Sequence, residues 1–377
     1  LEDFIPRKEE IDAIQKVKEK VISQIRDYFP EAKGDYSSWE NVDIKEVGST
    51  VKGTFVRGST DIDFYLIGSE PDKIYTCIQK IFPNGKPKKG QLVIWNVFIE
   101  EMDIDLICAS PKFSKREDTL KHAEFYSTHL NKYMKFEIIK AKAYLKTKGL
   151  YGSEMGSIVG VCIEELIRQK KTWLEACKFL AFSSKRPTLQ DPTMTKPRDF
   201  LASIIPEKWS KLMQCCYQYI QSPHFKYEPM TIQKFVINHE GFNVMLWERK
   251  GDKALDFQSL YSSAHHVRNI ITHREKEETL EFDVFVEDKE FCLVFKGHPR
   301  ILSQTKEVCL DSIKIEKIFL ESFRKAHSDC YEKEHSLCAI VKREIPFPED
   351  FFYDNVLKRM TKRGYKLLNS ARVLVKD

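Results

Sequence analysis

Gly48 and Ser49 stand at the end of a strand-like stretch, and twelve positions after Ser49 stands Asp61, followed by Ile62 and Asp63. A second acidic pair, Asp103 and Asp105, lies in the segment EEMDIDLICA. A glycine at a strand end lets the backbone turn sharply, and the N–H groups after it can face a phosphate. Alternation along a strand puts Asp61 and Asp63 on one face and Ile62 on the other, and it pairs Asp103 with Asp105 in the same way. If the two strands are neighbours, three carboxylates converge. Such a set of hard oxygen ligands is costly unless cations occupy it, and Mg²⁺ suits it best. Two Mg²⁺ ions about 3.5–4 Å apart would clamp the attacking and leaving oxygens of an in-line phosphoryl displacement. Each piece alone also reads as a turn or a solvated strand entrance; the ordered set carries the signal.

These residues need a sheet to hold them. Strand patterns fall at Asp43–Val47, Ile62–Ile67, Gln91–Ile99 and Met102–Ala109. An amphipathic helix is expected over 8–29, where Ile11, Ile14, Val17, Val21, Ile25 and Phe29 recur at steps of three and four. A turn-rich polar stretch, Glu31 to Asn41, ends it, and Pro83–Gly90 reads as an exposed basic connection. From Lys115 to about Phe182 the pattern is helical. Ser183–Arg198, polar and with prolines, reads as a link between packing units. After about Tyr227 short strands return, as at Phe282–Glu287 and Phe291–Phe295. The expected units are therefore a mixed one at 1–112, a helical one at 113–225 and a second mixed one at 226–377.

Composition sets the outer bounds. The 377 residues are 42% hydrophobic and 31% charged, which argues for a folded chain and against disorder. Lys+Arg 61 against Asp+Glu 56 leaves a formal charge of only +5, too small to announce nucleic-acid binding but with room for a local basic patch. Such patches occur at Lys86–Lys89, Lys132–Lys148 and Lys358–Asp377, where phosphate contacts would make binding salt-dependent. No stretch reaches the ~20 apolar residues of a membrane span. The N-terminus lacks a basic segment followed by an apolar one, and because it begins at Leu1 a few upstream residues are expected to be missing. Ten cysteines without framework spacing read as reduced thiols, hence a cytoplasmic setting. His327, Cys330, His335 and Cys338 resemble a short zinc knuckle in spacing, although the polar residues between them equally suit a turn.

The segment GSTVKGTFVRGSTDID resembles the signature of the DNA polymerase β-like nucleotidyltransferase superfamily. Within it, the likeness is to archaeal-type (class I) CCA-adding enzymes. Three further segments are similar to motifs of that family: TLKHAEFYSTHL at Thr119–Leu130, KAYLKTKGLYG at Lys142–Gly152 with Glu165-Leu166-Ile167 after it, and DPTMTKPRDFLA at Asp191–Ala202. The likeness runs from about residue 8 to 205, with a weaker echo at GHPRIL near 297.

What the resemblance implies is an α+β fold. A polymerase β-like head of mixed sheet and helices would be followed by a helical neck and a C-terminal α/β RNA-binding body and tail. The implied activity is template-independent addition of C, C and A to the 3′ end of tRNA from CTP and ATP, with two Mg²⁺ ions. By matched position, Asp61 and Asp63 would bind both metals, and Asp105 would bind the one that activates the RNA 3′-hydroxyl. Gly48, Ser49 and Lys52 would hold the nucleotide phosphates. Thr119, His122, Lys142, Tyr151 and Arg198 would contact the nucleotide. Partners would be tRNA and nucleoside triphosphates, with no membrane, and a homodimer is compatible with the reading. Two competitors share part of the pattern: oligoadenylate or cyclic-dinucleotide synthase-like enzymes, and a non-catalytic RNA-binding relative. The chain departs from the family in having Lys52 where Arg is usual, in lacking a histidine about thirteen residues before Asp105, and in a shorter C-terminal half.

Overall fold

A computed structural model describes residues 3–31, 42–58, 61–88, 93–110, 117–152, 156–183, 185–194, 196–239, 241–250, 253–275, 280–287, 290–297, 305–311, 331–333, 336–342 and 348–372. The fold is α+β and forms two compact units, residues 1–235 with 250–256, and residues 236–249 with 257–377.

The first unit begins with helix α1 (Lys8–Glu31). A five-stranded mixed sheet follows: β1 (Asp43–Val47), β2 (Asp61–Ile67), β3 (Lys86–Lys88), β4 (Val93–Ile99) and β5 (Met102–Ala109), in the order β1-β2-β5-β4-β3. Only β2 and β5 run parallel. Parallel neighbours need a crossover, and the intervening chain includes helix α3 (Pro71–Ile81), which starts with a proline where no N–H is needed. Between β1 and β2 sits the short helix α2 (Gly48–Lys52). The β4–β5 hairpin turns through Glu100 and Glu101 at φ 49° and 66°, the left-handed pair a two-residue turn requires.

Ile14, Val17, Val21 and Ile25 of α1 pack with Ile62, Phe64, Leu66, Ile104 and Leu106 of the sheet. Each such buried aliphatic contributes about 1.5–3 kcal/mol. Ile11, expected on the same stripe, is 48% exposed, because two three-residue steps rotate it well away from Val17. Lys86–Lys88, expected as an open connection, is instead an edge strand paired with β4, a position that tolerates Pro87.

The helical part of this unit comprises α4 (Glu117–His129), α5 (Lys132–Thr147), α6 (Gly160–Lys170), α7 (Trp173–Ala181), a 3₁₀ turn (Phe200–Ser203) and α8 (Pro206–Gln221), and α9 (Ile232–Ile237) spans the boundary to the second unit. Asn131 caps α5 by accepting from the Met134 N–H, and Thr172 caps α7 by accepting from the Glu175 N–H. Trp173, Tyr144, Tyr219, Tyr126 and Leu166 share one core. The stretch 183–198, expected as a simple link, folds back onto this core. Leu189 is buried in it, Gln190 bridges to Asp199, and the Arg186 guanidinium donates to the carbonyls of Leu201 and Ile204.

In the second unit, β6 (Asn243–Glu248), β7 (Leu280–Val286), β8 (Glu290–Gly297) and β12 (Leu367–Arg372) form an antiparallel sheet in the order β12-β6-β8-β7. A three-stranded sheet contains β9 (Thr305–Asp311), β10 (Tyr331–Lys333) and β11 (Ser336–Lys342), in the order β10-β11-β9. Helices α10 (Lys253–Glu275) and α11 (Pro348–Lys362) complete the described elements. The basic C-terminal stretch is thus a helix end followed by a paired strand, not one continuous helix. Of the knuckle-like set, His327, Cys330 and His335 lie outside the described residues, and Cys338 belongs to β11.

Candidate active site on strands β2 and β5

The parallel register sets Asp61 beside Asp103 and Asp63 beside Asp105, while antiparallel β1 sets Val47 beside Asp63. Ile62 is fully buried on the opposite face, as strand alternation requires. Gly48 follows Val47 directly and adopts φ +80°. A Cβ there would sit 2.3 Å from Asp63 Oδ2, so only glycine lets the turn close onto that carboxylate. The chain then winds through α2, and Thr54 N–H returns to the Ser49 carbonyl at 2.9 Å. Ser49 is half-buried beside this turn.

Three carboxylates so placed repel one another. Burial, then Asp105, then Asp61 push the Asp63 carboxyl up to about 7. Asp61 is raised as well, although the residue as a whole is exposed; burial of its carboxyl leads, Asp105 and Asp103 add to it, and Lys88 and Lys146 oppose it. Lys88, from edge strand β3, places its ammonium 2.7 Å from both oxygens of Asp105. Asn96 adds a donor to Asp105 Oδ1 at 2.8 Å and a longer one to Asp103. Among the described residues no three His, Cys, Asp or Glu side chains are placed together to hold a metal ion, and the Lys88 ammonium takes up both oxygens of Asp105. The donor set itself suits Mg²⁺: it is all oxygen and comes from two adjacent strands.

A second cluster lies behind α2. Lys52 and Lys142 are both buried, and both pair with Glu164 of α6, which has no exposed surface. Glu164 Oε2 accepts from Lys52 at 2.6 Å; Oε1 accepts from Lys142 at 2.9 Å and from the Thr54 hydroxyl at 2.9 Å. Lys142 also donates to the Thr54 carbonyl and hydroxyl, each at 3.0 Å. Burial opposes the Glu164 charge, yet Lys142 and Lys52 together outweigh it and hold the carboxyl down to about 2. Lys52 lies below the usual lysine range; burial is the main cause, Glu164 opposes it and Lys142 adds to it. Gly160 keeps this corner open, since a Cβ there would come within 3.1 Å of Tyr151 Oη and 3.4 Å of Lys142 Nζ.

The other expected nucleotide contacts form a third group. His122 is buried, with Nε2 2.8 Å from Asp191 Oδ2 and its ring edge-on to Phe200. Asp191 also accepts from the Thr193 N–H and hydroxyl, and Arg198 Nη1 approaches it at 4.0 Å. Thr119 is half-buried on α4, and the Lys146 ammonium stands 5.3 Å from the Tyr151 ring. Sequence reasoning gives no individual role to Glu164, Thr54, Lys88, Asn96 or Asp191. Asp191 heads a recognised segment, and Asn96 is placed by its cross-strand partner Asp105. Nothing local in the sequence distinguishes Glu164 from Glu165 beside it.

No family model matches the chain. A CCA-adding enzyme of Methanosarcina acetivorans is 22% identical over 257 residues, covering 59% of this chain and 55% of that protein. A CCA-adding enzyme of Sulfolobus acidocaldarius is 24% identical over 236 residues, covering 54% and 53%. The chain spans about half the length of the curated relatives it matches. Among solved structures, the E. coli MS115-1 CdnC:HORMA-deltaN complex aligns at TM-score 0.45 and 15% identity, covering 58% of this chain and 86% of that one. With its paired aspartates on adjacent parallel strands, this chain resembles the archaeal CCA-adding enzymes over somewhat more than half of its length.

Proposed function

We propose that the protein is a nucleotidyltransferase that adds C, C and A to the 3′ end of tRNA, using CTP and ATP and releasing pyrophosphate. The observation that carries this reading is the β2–β5 register, which sets Asp63 beside Asp105 and Asp61 beside Asp103. The likeness to CCA-adding enzymes supports the choice of tRNA as acceptor.

Asp61 and Asp63 would hold both of two Mg²⁺ ions, and Asp105 would join them at the ion nearer the acceptor hydroxyl. Mg²⁺ bound there supplies Lewis-acid activation of that hydroxyl and neutralises phosphate charge. Asp105 is also the group to receive the hydroxyl proton. Gly48, Ser49 and Lys52 would serve the triphosphate, and Thr119, His122, Lys142, Tyr151 and Arg198 would complete the nucleotide pocket. With no template, the base is chosen by protein groups and the RNA end together. Residues 1–112 would act as catalytic head, 113–225 as neck and 226–377 as the tRNA-gripping part. No helix of the described residues is long and apolar enough to cross a membrane, and the reading places the protein in the cytoplasm.

The test is extension of tRNA lacking CCA, with labelled CTP and ATP supplied separately and together. Stepwise addition of C, C and then A is expected. Products made from ATP alone, with no tRNA extended, would overturn the reading in favour of an oligoadenylate or cyclic-dinucleotide synthase. RNA binding without incorporation would favour a non-catalytic relative.

A further inference from the structure

Lys52 and Lys142 look interchangeable in sequence, since both match positions that would contact the nucleotide. Their surroundings divide them. An ammonium has three N–H donors. Lys142 Nζ has three acceptors within 3.0 Å: the Thr54 carbonyl, the Thr54 hydroxyl and Glu164 Oε1. Lys52 Nζ has one, Glu164 Oε2 at 2.6 Å, and among the described residues no other hydrogen-bond acceptor for it is found. Two of its donors are therefore left for a ligand. Lys52 is the last residue of the short α2 turn whose first residue, Gly48, abuts the Asp63 carboxylate.

Glu164 is the hinge of this division. It lies on α6, Lys142 on α5, and Lys52 and Thr54 lie in or just after the α2 turn. One fully buried carboxylate thus ties the turn carrying Ser49 to two helices of the neck. A buried carboxylate with two lysines leaves the cluster one positive charge in excess, and a phosphate is the class of ligand that would balance it. The long, flexible lysine stem would otherwise sample many rotamers, and fixing it beforehand lowers the entropy lost on binding.

We propose that Glu164 is a positioning residue that holds Lys52 ready for the terminal phosphates of a nucleoside triphosphate. This rests on the nucleotidyltransferase reading and assigns the work within it. Glu164 itself touches no substrate. Its effect falls on the β- and γ-phosphates and leaves the nucleoside and α-phosphate alone.

The experiment is equilibrium binding of ATP and AMP to the full chain in magnesium buffer without RNA, by calorimetry. The wild type is expected to favour ATP over AMP. Glu164→Gln should weaken ATP roughly tenfold or more, as expected for losing a charge-assisted hydrogen bond, and leave AMP unchanged. Lys52→Met should do the same, and it leaves Glu164 paired with Lys142, so it carries the test if Glu164→Gln does not fold. Lys52→Arg should retain the ATP preference. Equal weakening of ATP and AMP in both variants would mean a merely structural role and overturn the proposal. An unchanged ATP-to-AMP ratio in Lys52→Met would overturn it too. A wild type that binds neither ligand would instead sink the nucleotide reading, and this proposal with it.

Discussion

The acidic edge and the lysine clasp lie on the two sides of one short turn, and they handle charge in opposite ways. At the edge, Asp105 is paired with Lys88, whose side chain is 45% exposed, and Asp61 and Asp63 stand on the neighbouring strand. In the clasp, one fully buried carboxylate serves two lysines and the Thr54 hydroxyl. The edge has more carboxylates than cations, and burial and mutual repulsion raise the Asp63 carboxyl. The clasp has more cations than carboxylates, and its one carboxyl is held low. A site that must receive cations keeps its anions accessible and in excess. A site that must receive an anion keeps one cation in excess and fixes it in place. Gly48 lies between the two and has room for neither a side chain nor a shift.

If this contrast is right, the largest effect on stability belongs to the clasp. Glu164→Gln removes a carboxylate paired with two buried lysines and should cost about 3–5 kcal/mol in urea unfolding. Its pH signature is also set. The carboxyl is held at about 2 in the folded chain against an ordinary 4.5, so its stabilisation is fully present above pH 4.5 and is lost as the pH falls from there through 2. Acid unfolding of the wild type should steepen in that window, and Glu164→Gln should lack this component.

The middle effect belongs to the turn. Gly48→Ala forces a left-handed backbone on an L-residue, costing about 1–2 kcal/mol. It also drives a methyl into Asp63, so incorporation should fall further than stability alone explains. The smallest effect belongs to the edge. Lys88→Met removes a half-exposed ion pair worth about 1 kcal/mol or less, so Mn²⁺ should bind up to roughly fivefold more tightly, read by electron paramagnetic resonance without nucleotide. Weaker binding would show that Lys88 supports the site rather than competing for Asp105.

Much of the edge was legible in the sequence because strand alternation is strict. Asp61, Asp63 and Asp105 declared their faces, and only the pairing of β2 with β5 had to come from the fold. The clasp was not legible, because Glu164 lies 112 positions from Lys52 and reads as one polar residue on an amphipathic helix. The edge strand at Lys86–Lys88 was missed because proline and lysine look like loop residues until a partner strand lies beside them. The stretch 183–198 misled in the same way: its prolines signal a break, but Leu189 and Arg186 anchor it to the helical core.

The central claim is that the β2–β5 carboxylates perform nucleotidyl transfer. Its most direct test compares wild type with Asp63→Ala for labelled CMP incorporation into tRNA lacking CCA, with tRNA binding measured in parallel. The account predicts incorporation by the wild type, a loss of at least ~10³-fold in the variant, and tRNA affinity within about twofold of normal. Equal incorporation by the two proteins would contradict it.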